Sequence, residues 1–100
     1  MLPEDFTIIM VDTNRLKFFN DTKGHEAGDE VIIGTAECLK EAFSDFESAN
    51  ICRIGGDEFA ISLVAAKDQV EAAIEEFKKE LSGWKGKYVN NLSAAVGYAA

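Results

Sequence analysis

The stretch ICRIGGDEFAISLV (51–64) decides the fold. Two strand-like segments, ICRI and FAISLV, flank Gly55-Gly56-Asp57, and a Gly-Gly pair readily supplies the positive φ values of a tight turn, so a β-hairpin is expected. The same stretch poses a chemical question, because Asp57 and Glu58 sit side by side where a core sheet is expected.

Working outward, FTIIMV (6–11) is a near-continuous apolar run ending at Asp12, as expected of a central strand covered on both faces. Leu16 and Phe19 stand three apart in a segment long enough for one or two helical turns. After NDTKGHEAGD, the spacing of Ile32, Ala36, Leu39 and Phe43 predicts a helix over 28–43. Val70, Ile74, Phe77 and Leu81 predict another over 67–82, and the alternation of Leu92, Ala94, Val96 and Tyr98 predicts a last strand. No linker, repeat or low-complexity tract interrupts the chain, and Pro3 is its only proline. The order of elements implies an α+β fold: one antiparallel sheet with its helices packed on one side.

One hundred residues, 47% hydrophobic and 28% charged, describe an ordinary single globular domain. A net charge of -8 argues against nucleic acid as a partner, since phosphate backbones demand clustered Lys and Arg. A phosphate ligand would need a divalent cation to bridge it to carboxylates. The opening MLPEDF lacks the basic residues of a signal peptide, and IIMV is too short to cross a bilayer, so no direct membrane contact is expected. Cys38 and Cys52 lie in apolar surroundings without CxxC spacing, which suits buried free thiols and a cytoplasmic setting.

If the first strand and the hairpin are neighbours, Asp12 and the 55–58 tip meet at one edge of the sheet. Two carboxylates in a partly buried site are costly unless a cation neutralises them, and hard oxygen ligands suit Mg²⁺ or Mn²⁺. Each residue also has a plainer reading. Asp57 and Glu58 can be solvated turn acids, Asn20 and Asp21 can end the short helix, Asp29 can charge the next helix start, and His25 can be a loop residue. DTNRLK fails as an EF-hand loop, with Leu16 and Lys17 where an oxygen ligand and glycine are needed, and GWKGK fails as a P-loop.

VDTNRLKFFNDTKGHEAGD (11–29) together with RIGGDEF (53–59) closely resembles the GGDEF family of diguanylate cyclases, in motif content and in spacing. The resemblance runs to SAAVGYA and implies a palm or ferredoxin-like, nucleotide-cyclase-like fold. It also implies the reaction: two GTP molecules condense to cyclic di-GMP with release of pyrophosphate, across a homodimer. By resemblance, Asp12, Asp57 and the carbonyl of Thr13 hold Mg²⁺. Asp57 is also the candidate base with Glu58 beside it, and Lys17 stabilises the transition state. Asn20 and Asp29 read guanine, His25 lies near the nucleotide, and Gly55 and Gly56 admit its phosphates and sugar.

Departures from the pattern also carry expectations. The family's product-inhibition motif RxxD would fall at 46–49, where the chain reads FESA, so feedback through it is not expected. The family's N-terminal helix and its C-terminal helix with Lys and Arg for the outer phosphates have no match in residues 1–100. The chain therefore reads as a single GGDEF domain core with weak triphosphate affinity and an exposed apolar surface where those helices would pack. The alternative to a cyclase is an inactive module that binds GTP and regulates an attached domain, such as a cyclic di-GMP phosphodiesterase. Sensor or regulatory domains are expected in the parent protein.

Overall fold

A computed structural model describes residues 6–99. Strand β1 (Phe6–Thr13) leads through α1 (Leu16–Lys23) and α2 (His25–Ala42) to β2 (Asn50–Arg53) and β3 (Glu58–Val64), then α3 (Lys67–Gly83) and β4 (Ala94–Ala99). The sheet order is β2-β3-β1-β4, and every pairing is antiparallel. This is the α+β architecture expected, with β1 and β3 at its centre.

Strand β1 alternates strictly. Thr7, Ile9, Val11 and Thr13 are buried, while Ile8, Met10 and Asp12 are exposed. Opposite them on β3, Phe59, Ile61 and Leu63 are buried in register with Val11, Ile9 and Thr7. Val31, Leu39, Val70, Ile74, Phe77 and Leu81 of α2 and α3 close the core from that side. Each fully buried Ile, Leu or Phe contributes about 1.5–3 kcal/mol, so this interdigitated layer dominates the stability of the sheet.

The opposite face is open, which corrects the expectation of a strand covered on both faces. Ile8, Met10 and Val64 are each more than 40% exposed on it. Apolar composition at 6–11 marks a central strand, but the coverage of its second face depends on what packs there. Cys52 is corrected for the same reason: it pairs with Ala60 on edge strand β2 and is exposed, whereas Cys38 is buried as expected.

Two further boundaries differ from expectation. Helix α2 begins at His25, because Gly24 takes φ 89, a left-handed value suited to glycine, and turns the chain directly from one helix into the next. Its buried stripe runs through Ala27, Val31, Thr35, Cys38 and Leu39, leaving Ile32 and Ala36 only half-buried. The α3 stripe is as read. The last strand begins at Ala94; Leu92 precedes it but is buried, its N–H bonded to the Leu81 carbonyl at 2.8 Å.

Candidate active site

The β2–β3 turn docks against the end of β1. The N–H of Thr13 donates to the carbonyl of Asp57 at 2.8 Å, and Thr13 Oγ1 donates to the same oxygen at 3.2 Å. In the β1–β3 register Asp12 lies opposite Glu58, so both side chains belong to the open face. Asp12, Glu58, Met10, Ala95 and Gly97 line a cleft of about 370 Å³ there.

Asp12 feels its neighbours. Loss of hydration raises its pKa first, followed by the negative charge of Asp57 and a hydrogen bond between the two carboxyl groups. Two acids held this close are an electrostatic liability in the free chain and an asset beside a cation. Among the described residues no group of three or more His, Cys, Asp or Glu gathers as a metal cluster. A pair of carboxylates with open space beside it is unlike a closed tetrahedral zinc site. It suits a cation that keeps several waters and completes its shell with substrate oxygens.

The glycine turn is not built as expected. Neither Gly55 nor Gly56 takes a positive φ. Instead Ile54 N–H donates to the Glu58 carbonyl at 2.8 Å, and the Arg53 guanidinium bonds the carbonyls of Gly55 and Gly56 at 3.2 and 2.7 Å. This wider turn, clamped by Arg53, replaces the tight two-residue turn. Among the described residues nothing requires glycine there: a Cβ on Gly56 would meet no atom within 4 Å, and one on Gly55 only Glu58 Oε1 at 3.6 Å. The two glycines border space that a side chain would fill.

The remaining residues of interest lie on the α1–α2 pair. Arg15 takes a left-handed φ of 66 just before α1, and its guanidinium lies over Phe18, 4.3 Å from the ring centre, and near Phe19. That entry sets Lys17, exposed in the first turn, and Asn20, half-buried one turn later. The Asn20 side chain lies against the backbone of Gly28, next to Asp29. His25 and Asp29 are exposed near the start of α2. The structure thus forms two groups, one of Asp12, Thr13, Asp57 and Glu58 with the glycine turn, the other of Asn20 beside Gly28 and Asp29. Lys17 stands in the first turn of α1 and His25 at the start of α2, both exposed.

Sequence reading missed Arg53 and Glu30. Glu30 accepts the backbone N–H groups of Lys87, Tyr88 and Val89 at 2.8–3.0 Å, fastening the 84–91 loop to α2. A charge among apolar helix positions gives no such signal. The bond set depends on a loop returning 57 residues later.

Fold and site together define an α+β domain of the nucleotide-cyclase-like type. The family model described as "Diguanylate cyclase, GGDEF domain" matches residues 2–99, and the chain belongs to this family. Among curated relatives, the probable diguanylate cyclase DgcJ of Escherichia coli is 40% identical over 68 residues, 68% of this chain and 13% of that protein. Diguanylate cyclase A of Treponema denticola is 32% identical over 105 residues, 97% of this chain and 27% of the relative. The chain therefore spans a minor part of these proteins. The solved GGDEF domain of DgcB from Caulobacter crescentus, in complex with c-di-GMP, superposes with a TM-score of 0.80 at 28% identity, covering 93% of this chain and 57% of that one.

Proposed function

We propose that the chain is the central part of a GGDEF domain that condenses two GTP molecules into cyclic di-GMP, releasing two pyrophosphates. The carrying observation is the Asp12–Asp57 carboxylate pair beside an unfilled glycine turn, held by the Thr13–Asp57 hydrogen bonds. Asp12, Asp57 and the carbonyl of Thr13 would hold Mg²⁺, with Mn²⁺ as the close substitute. When bound, that ion neutralises charge on the phosphate oxygens.

The chain's own groups take the other roles. Asp57 accepts the proton of the attacking 3′-hydroxyl, with Glu58 alongside. That oxygen bonds to the α-phosphorus of the GTP held by a second copy, and the bond from α-phosphorus to the pyrophosphate oxygen breaks. Lys17 offsets the charge developing on the leaving group. Asn20 and the Asp29 carboxylate read the guanine edge, where N1–H and the 2-amino group donate, with His25 near the nucleotide. Gly55 and Gly56 leave room for phosphate and sugar to approach the backbone. Because each GTP supplies the nucleophile for the other, two copies must face one another, and regulatory domains of the parent protein are read as controlling that encounter.

Incubating the full-length protein with GTP and Mg²⁺ tests the reading. Cyclic di-GMP should form, and Asp57→Ala should reduce it by at least about a thousandfold, as loss of both a metal ligand and a base implies. GTP uptake without product would leave a binding module in place of an enzyme.

A further inference from the structure

Gly28 lies buried within α2, where glycine weakens a helix relative to alanine. A Cβ placed on it would fall 1.7 Å from Asn20 Oδ1, 2.6 Å from Asn20 Cγ and 3.2 Å from Asn20 Nδ2. The three nearest atoms all belong to one side-chain amide, which therefore rests directly on the helix backbone. Gly34 and Gly86 differ: a Cβ there would strike the indole of Trp84 together with Leu92 or Glu30, so those glycines serve packing. Gly28 makes room for a polar group on the preceding helix, one residue before Asp29.

We propose that Gly28 is a positioning residue for base recognition. It seats the Asn20 amide against α2, so that amide and the Asp29 carboxylate are presented in a fixed relation. This rests on the reading of Asn20 and Asp29 as guanine contacts. The clash falls on the far end of a flexible side chain, so a methyl at 28 turns the amide away and leaves the helices in place.

The test is a double-mutant cycle read by calorimetric titration of GTP and of ATP, each with Mg²⁺, into the full-length protein. Gly28→Ala should weaken GTP binding about tenfold, the scale of one well-placed hydrogen bond, and leave ATP binding unchanged. Asn20→Ala should give a similar loss, and the double variant no further loss. The unfolding temperature of Gly28→Ala should equal or exceed that of the wild type. Wild-type GTP affinity in Gly28→Ala, an additive loss in the double variant, or a fall in unfolding temperature that Asn20→Ala does not relieve would each overturn the assignment. A wild type that takes up no GTP overturns the functional reading, and this one with it.

Discussion

At the scale of single residues, the candidate site divides into what composition announces and what only geometry creates. Asp12 and Asp57 were legible because acids at strand ends are unusual and their motifs are specific. Arg53 was not, because its role is to bond carbonyls whose direction exists only once the turn has formed. Glu30 is of the same kind. Partial burial raises its pKa, but three backbone N–H bonds and the Lys87 charge outweigh this and hold it below 4.5. A carboxylate depressed in the folded state stabilises that state above its unfolded pKa, and the contribution disappears as pH falls through the folded value. The amide proton shifts of Lys87, Tyr88 and Val89 should therefore move together on acidification below 4.5. In Glu30→Gln they should lose that shared titration.

At the scale of elements, periodicity located the two long helices and the last strand, the apolar run and the glycine turn located the other strands, and periodicity failed where two reading frames compete. In α2 both the 32/36 and the 31/35 rows hold apolar or small residues, and only docking against the sheet selected the second. In β1 the run Ile8–Val11 is uniformly apolar, yet Ile9 is 0% and Ile8 44% exposed. Ile9→Ala should cost about 2–4 kcal/mol in denaturant unfolding, and Ile8→Thr less than about 1 kcal/mol. Between α2 and α3 lies a roomier concavity, about 560 Å³, lined by Glu37, Glu41, Glu76 and Glu80 with Trp84. Glu80 Oε2 is sealed there without a hydrogen-bond partner among the described residues. Burial raises the Glu80 pKa, followed by the charges of Glu41 and Glu76. An acid whose folded pKa is raised favours folding at low pH and opposes it as pH climbs past 4.5. Glu80→Gln should raise stability at pH 7 by about 0.5–1 kcal/mol, a figure reduced for solvent screening, and flatten the decline expected in melting curves of the wild type from pH 4 to pH 7.

At the scale of the whole molecule, one face of the sheet is insulated by helices and the other carries the acids beside exposed Ile8, Met10 and Val64. The order of elements already implied helices on one side of the sheet; what the apolar run at 6–11 did not tell is that the second face of β1 is open, since an uncovered apolar face and a covered one are spelled alike. No helix among the described residues is long and apolar enough to cross a membrane. The hydrogen bond that seats the turn joins Thr13 to an acceptor 44 positions away. A denatured chain consequently keeps no such pairing of Asp12 with Asp57. On the proposed assignment of Mg²⁺ and GTP to this site, occupancy is linked to closure of the sheet, so Mg²⁺ and GTP should lift the midpoint of thermal denaturation in step with the logarithm of ligand concentration. Calorimetric scans should show the Mg²⁺-dependent part of this increment shrinking in Asp12→Ala, whose strands still zip together but keep only one carboxylate of the pair.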